Sequence, residues 1–378
     1  MRLNTPIDAI FLNLDIANSE NQIKAKCAVL IYYTRSKLTK RSPRGTNHRF
    51  LMRFEKFDPM ATYSNLLKRL LVICLCMAIA SCSRTGDEVV VDPTLRESVL
   101  ISAPELIGQV TNPVYRILDI AQVPEEYARG HIDGALFVDW RTEIIDPETP
   151  KLFNLPPQAM YESLMDRLGI SPESTVVLYD NFNSRFATRM FWTMRYYGHS
   201  SIKILDGGRG AWQAAGLELV TEIPSVTASD YRVSTINTEL LAEMPFIKSR
   251  LATDGFGLVD GRPHTQYTGE APGTVYHTGS EHAGRGHIYG AQNVPWATNF
   301  NEDGSFKNNA ELLELYAPHG LTPDKTIVTY CNEGLHASPP WFVMHELLGY
   351  PDVKLYDSSM GEWANQAEPN LILGQHCM

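Results

Sequence analysis

The sequence predicts an α/β protein built of two tandem domains, each a mostly parallel sheet flanked by helices. Two observations carry the prediction. Residues 175–212 match residues 326–363 at a constant offset of 151, so that Tyr179 aligns with Tyr330, Asp206 with Asp357, Gly210 with Gly361 and Trp212 with Trp363. A repeat unit of this length is a whole domain, not a solenoid turn. Within each copy, short β-branched runs alternate with amphipathic stretches, which is the pattern of βαβ units around a sheet covered on both faces.

Taken in order, residues 1–59 lack apolar periodicity and read as a non-native or disordered extension. In residues 60–82, Lys68 and Arg69 precede an uncharged apolar run over 70–79, too short for a typical membrane span and of signal-peptide length. The ending Ile79-Ala80-Ser81-Cys82 resembles a bacterial lipobox, which would make Cys82 the lipidated first mature residue, held at the cell envelope and facing the periplasm or exterior. An uncleaved anchor or a buried helix is the alternative. Residues 83–97 read as a polar tether, 98–222 as the first domain, 223–238 as a linker and 239–370 as the second domain. Strands are expected at 176–179, 202–205, 327–330 and 353–356. Helices are expected at 185–197 and 339–348, each closed by a glycine, Gly198 or Gly349. Arg129-Gly130-His131-Ile132 recurs as Arg285-Gly286-His287-Ile288, but the second copy carries about fifteen more residues between Asp260 and Arg285.

Composition narrows the function classes. Residues 1–82 hold 13 Lys+Arg against 5 Asp+Glu, whereas 83–378 hold 20 against 38. So acidic a body repels polyphosphate, which argues against nucleic-acid partners. Cys27, Cys74, Cys76 and Cys82 fall in the first 82 residues, leaving the body Cys331 and Cys377, which is no disulfide framework.

The chemistry concentrates at residues 327–340, where a buried strand runs into Cys331, a short Gly-containing loop and a helix start. Ser338 suits an N-cap and Pro339 the first helical position. The carboxyl end of a parallel strand is where such sheets place ligands. Loop N–H groups and the helix start are expected to favour thiolate over thiol, and the same donors would hold a terminal persulfide anion. The bland alternative is an inert buried cysteine.

These features resemble the rhodanese family of sulfurtransferases, specifically the tandem enzymes acting on thiosulfate or 3-mercaptopyruvate. The resemblance spans about residues 98–365. It rests on Val259-Asp260-Gly261-Arg262, Gly286-His287-Ile288 with Gly290-Ala291, the loop Cys331–Ala337, Asp206-Gly207-Gly208 with Trp212, and Asp357 with Trp363. It implies that Cys331 accepts sulfur as a persulfide in ping-pong catalysis and that no cofactor or metal is needed. Arg262 would bind the donor, the alternative being an ion pair with Asp260 or a neighbour, with Asn332, Glu333, Gly334, Leu335, His336 and Ala337 forming the loop around it. Partners would be a small anionic sulfur donor, a thiol, cyanide or protein-thiol acceptor, and the membrane through the lipid anchor. The first domain would be catalytically silent, since Asp180 stands at the position of Cys331. The donor stays open. Asn332-Glu333 departs from both the basic and the Gly-Ser loops of relatives, an acidic Glu333 should oppose a dianion unless it points to solvent, and His336 could compensate or merely pack. Gln266 replaces a second basic residue.

Competing constellations are weaker. His264, His277, His282 and His287 could suggest a metal, but His287 repeats His131, which favours a structural role. Phosphatase chemistry needs an arginine where Ala337 stands. Arg185 and Arg189 read as an anion site in the first domain or as carboxylate partners on a partly solvated helix, and Cys377 as a stray thiol or a resolving partner. The rival to an enzyme is a non-catalytic or sulfur-relay binding protein.

Overall fold

In the computed structural model, residues 91–120, 123–149, 154–276 and 278–374 are described, all within the compact unit Asp87–Met378. The signal segment with Cys82, the imidazole of His277 and the terminal Cys377 lie outside them. Among the described residues no helix is long and apolar enough to cross a membrane.

Two five-stranded sheets repeat one plan. The first contains β1 (Leu100–Ile101), β2 (Tyr115–Asp119), β3 (Ala135–Phe137), β4 (Thr175–Tyr179) and β5 (Ile202–Leu205), in the spatial order β1-β5-β4-β2-β3. The second contains β6 (Leu241–Ala242) and β7 (Phe256–Asp260), then, beyond the two-residue β8 (His287–Ile288), β9 (Ala291–Asn293), β10 (Thr326–Tyr330) and β11 (Val353–Tyr356), in the order β6-β11-β10-β7-β9. Every pairing in both is parallel. The register repeats as well: Asp119 lies opposite Tyr179, and Asp260 opposite Tyr330. The central strands are apolar on both faces because helices cover both, as parallel sheets require.

The repeated Arg-Gly-His-Ile segment is a clip. His131 stacks on Tyr127 with centroids 3.9 Å apart, and His287 on Tyr267 at 3.7 Å. Each imidazole Nδ1 bonds the carbonyl of the tyrosine it covers. Each tyrosine hydroxyl donates onward, Tyr127 to Ala135 and Tyr267 to Ala291. A structural role therefore fits His287.

The two copies meet across an approximate two-fold axis. The helices Arg185–Tyr196 and Ser338–Phe342 pack together, and residues related by the 151 offset touch each other. Arg185 donates to His336, the rings of Phe191 and Phe342 cross edge to face at 4.9 Å, and Arg195 pairs with Glu346 at 3.1 Å. Across the axis the repeated aspartates reach reciprocally: Asp206 accepts from the N–H of Phe306 at 2.8 Å, and Asp357 from that of Leu155 at 2.7 Å. This is the self-complementary geometry of an isologous dimer, fused into one chain. One apolar cluster runs through it from Phe186, Met190 and Phe191 to Leu335, Trp341 and Phe342.

Several expectations are corrected. The tether is already helical from Pro93: Asp92 caps a Pro93–Val99 helix, and Arg96 from it pairs with Asp206. The chain continues past 370 to β12 (Leu371–Ile372), antiparallel to β8. The helix expected over 339–348 is α-helical only at Ser338–Phe342 and becomes a π turn at Val343–Leu347. Ser338 is inside it, its hydroxyl donating to Leu335 O and bonding Thr188 Oγ1 across the domains, so the cap position falls to Ala337. The Arg185–Tyr196 helix is not partly solvated: residues 185 to 194 are all buried.

Arg189 is fully buried and pairs with Asp357 of the other domain. Removing one partner of a buried pair leaves an uncompensated charge, which costs about 3–5 kcal/mol. Asp357→Ala should therefore lower stability in urea unfolding by that amount. Asp206→Ala, whose partner Arg96 is partly solvated, should lose distinctly less.

Candidate active site

Cys331 stands one residue beyond the end of β10, and its placement begins with the backbone. Its N–H donates to Ser359 Oγ at 3.0 Å, while its carbonyl accepts from Met360 N–H at 3.1 Å. Ser359 has φ 49, a conformation that L residues seldom adopt. The matching position in the first domain is Gly208, φ 55, where an added Cβ would lie 2.3 Å from Asp180 O. The second domain thus accepts local strain at Ser359 in exchange for a hydroxyl that fixes the cysteine amide.

The loop then curls over the sulfur. The N–H groups of Glu333, His336 and Ala337 face Cys331 Sγ and favour its thiolate. The curl requires Gly334, at φ 83, because a Cβ there would sit 2.5 Å from Asp357 Oδ1. Leu335 anchors the loop in the shared apolar core, and Ala337 is wholly buried behind it.

The first domain supplies an internal control for what this cradle holds. Asp180 occupies the equivalent position, and its carboxylate takes four loop N–H groups: Phe182 at 2.8 Å and Ser184 at 2.9 Å on Oδ1, Phe186 at 2.8 Å and Ala187 at 3.0 Å on Oδ2. Phe182 and Phe186 are the counterparts of Glu333 and Ala337. Two matched donors, joined by others of the same loop, face a carboxylate in one half and a sulfur in the other. The arrangement is a cradle for an anion.

Cys331, Asn332, Glu333, Leu335 and His336 line a cavity of about 190 Å³ together with Pro263, Gln266, Thr274 and Tyr276. The last two come from the insertion, which is a bridged strap (Thr274 pairing with Glu281) over the cavity and not a loose loop. Asn332 Nδ2 donates to Gln266 Oε1 at 3.0 Å, and Tyr276 N–H donates to Glu333 Oε1 at 2.6 Å. A larger groove of about 580 Å³ beside Arg96 and Lys203 lies in the first domain, away from the thiol.

Electrostatics correct three expectations. Burial pushes the Cys331 thiol up to about 11, with the Glu333 charge adding to the rise and the three loop amides opposing it. The resting cysteine is therefore a thiol, and the cradle is matched to the charge that appears during reaction. Glu333 does not point to solvent: it is 1% exposed, and burial raises it to about 8 against the pull of Tyr276 N–H and Arg189. His336 brings no positive charge, since burial and Arg185 push it down to about 3. It stacks on Trp296 at 5.0 Å and accepts from Arg185.

Arg262 is not on the cavity wall. Its guanidinium is buried against Asp260, at 2.9 Å from Nε to Oδ1 and 2.6 Å from Nη2 to Oδ2, and Nη2 also donates to Gly286 O. A cation of the first domain, Arg185, bonds two residues of the cavity wall. Arg185 donates to His336 and, at 2.6 Å, to the hydroxyl of Tyr276, and its guanidinium lies 4.6 Å from the centroids of Phe186 and Tyr276. Sequence reasoning placed Arg185 only in a first-domain anion site or among carboxylate partners, and it missed Ser359 and Tyr276. The available signal was the offset of 151 that pairs Arg185 with His336. Among the described residues no group of three or more His, Cys, Asp or Glu side chains is placed to hold a metal ion. His264 bonds Asn293 and His282 lies near Asn365 and Asn332.

A rhodanese-like domain model matches residues 102–215 and again 245–366. The chain is 37% identical over 270 residues to the sulfur carrier protein TtuD of Thermus thermophilus, covering 71% of this chain and 94% of that protein. It is 35% identical over 259 residues to a putative thiosulfate sulfurtransferase of Haloferax volcanii, covering 68% and 88%. Among solved structures it resembles the anaerobic ergothioneine biosynthesis enzyme of Chlorobium limicola, crystallised with trimethyl histidine, at a TM-score of 0.66 and 25% identity over 76% of this chain and 72% of that one.

Because the thiol is held up to about 11, its alkylation by iodoacetamide should be slow near neutral pH. The rate should climb as pH rises toward 11, with no plateau near the ordinary cysteine value of about 8.5. In the first domain, Asp180→Ala would orphan four buried N–H groups at about 1–3 kcal/mol each before relaxation. Its thermal melt should fall well below that of Asp180→Asn, which retains one acceptor oxygen.

Proposed function

The chain belongs to the rhodanese-like family, and on that premise we propose that it moves sulfane sulfur through a persulfide on Cys331. The observation that carries the reading is the amide cradle, closed on a sulfur in the second domain and on the Asp180 carboxylate in the first. An anionic terminal sulfur would find there the donors that a thiol uses poorly. Loading consists of attack by Cys331 sulfur on the donor sulfur and departure of the donor's remainder. Unloading is attack by a thiophile on the outer sulfur, which regenerates Cys331.

A small anionic donor, thiosulfate or 3-mercaptopyruvate, fits the cavity best. Its volume admits a few heavy atoms, and Arg185 offers charge-assisted binding at its edge. The Chlorobium limicola enzyme was crystallised with a trimethylammonium compound. In this chain a guanidinium already lies over the aromatic rings that would receive such a group, so a quaternary ammonium would meet a like charge. The acceptor would be cyanide, a thiol or a protein thiol. Likeness to a sulfur carrier favours, as a second reading, relay to a protein acceptor. From the lipobox ending at Cys82 we also propose a lipid-anchored protein at the cell envelope.

Donor and cyanide should yield thiocyanate, and donor alone a mass gain of about 32 Da for one sulfur. Cys331→Ser should abolish both; activity surviving that change would remove Cys331 from the mechanism. A loaded protein that ignores cyanide but discharges to a protein thiol would favour relay. Expression with Cys82→Ser should shift the protein from the membrane to the soluble fraction.

A further inference from the structure

We propose that Glu333 is the proton relay of the loading step, taking the proton from Cys331 as its sulfur attacks and delivering it to the departing carbon of a mercapto-acid donor. The proposal rests on Cys331 being the nucleophile. The geometry points to it in three ways. Glu333 is two residues from the cysteine, its own N–H faces Cys331 Sγ, and it lines the same cavity. Its carboxyl is oriented by the strap, through the 2.6 Å bond from Tyr276 N–H. It is also close enough for its charge to act on the thiol.

Among the described residues, the other ionisable groups around the cavity have partners of their own. His336, on the same loop, accepts from Arg185, and Tyr276 hydroxyl accepts from that arginine too. Arg189, from the first domain's helix, faces Glu333 and is paired with Asp357. Beyond Asn332 lie His282, held neutral with its proton affinity lowered to about 4, and Arg262, locked on Asp260. A carboxyl raised to about 8 exchanges a proton near neutrality, whereas His336 and His282 are pushed down to about 3 and about 4.

The step balances. In the reactive form the proton has passed from Cys331 Sγ to Glu333, leaving the negative charge on sulfur. The sulfur pair attacks the thiol sulfur of 3-mercaptopyruvate, the S–C bond breaks with its electrons on carbon, and that enolate carbon takes the proton from Glu333. Cys331 becomes a persulfide, oxidised by the transfer, and the donor carbon is reduced to a methyl group, giving pyruvate. Thiosulfate leaves as sulfite, whose charge rests on oxygen, so the second proton transfer matters far less to it. The relay thereby makes the mercapto acid the donor that exploits Glu333.

The test is single-turnover loading of the full chain, followed by intact mass across a pH series with each donor, for wild type, Glu333→Gln and Glu333→Asp. Glutamine still accepts the Tyr276 N–H, and thermal melts verify folding. Wild-type loading from 3-mercaptopyruvate should rise with a midpoint near 8. Glu333→Gln should lose that rise and load roughly a hundredfold more slowly. It should be much less impaired with thiosulfate, and Glu333→Asp should restore part of the rate. A folded Glu333→Gln protein with the wild-type midpoint, or one slowed equally with both donors, overturns the relay. Wild type that gains no sulfur from any donor overturns instead the nucleophile reading beneath it.

Discussion

The structure turns on a ring of backbone N–H groups that closes on a single side chain at the carboxyl end of a central strand. Backbone donors cannot be left unpaired in a buried loop without cost, so the residue inside the ring is under strong constraint. A carboxylate satisfies the ring permanently, and the first domain uses Asp180 in that way. A neutral thiol satisfies it weakly, and burial pushes that thiol up to about 11. The second domain therefore rests in a state its donors do not fully match. An added sulfur carrying negative charge restores the match, which is the sense in which the site is complementary to a reacted state and not to the resting one.

Keeping that loop in place is the task of the interface between the domains. Gly334 packs against Asp357, Asp357 pairs with Arg189, and Arg189 comes from the helix that follows the Asp180 loop. The vestigial loop of one half thus starts the helix that props up the working loop of the other. Because the halves meet about a two-fold axis, several contacts have counterparts, seen in Asp206 with Phe306 and Asp357 with Leu155, although Pro340 at the position of Arg189 leaves the Arg189–Asp357 pair unrepeated. The pairs have diverged where chemistry diverged. Arg185 and His336 are equivalent positions, one a guanidinium and the other an imidazole held neutral by burial and by that guanidinium.

Much of this was legible in the sequence. The 151-residue offset located both sheets, and the strands at 202–205 and 353–356 end where expected, since their apolar runs are bounded by aspartates that leave the sheet. The strand–cysteine–loop–helix order located the cavity. What could not be read were quantities that depend on the partner domain. Arg189 looks like a surface helix residue until its helix is buried on both sides, and the protonation of Glu333 follows from its burial, against the pull of Tyr276 N–H. Arg262 was expected to face the donor, yet Asp260, two residues earlier at the strand end, is close enough to claim its guanidinium. Burial also reversed the expected ionisation of Cys331, because desolvation of a thiolate outweighs three amides.

The central claim is that the loop amides receive the negative end of a sulfur-loaded cysteine. A high-resolution crystal structure of donor-treated protein tests it most directly. The account predicts an outer sulfur on Cys331 within hydrogen-bonding distance of the N–H groups of Glu333, His336 and Ala337. An outer sulfur turned away from those amides, or borne on another residue, would contradict it.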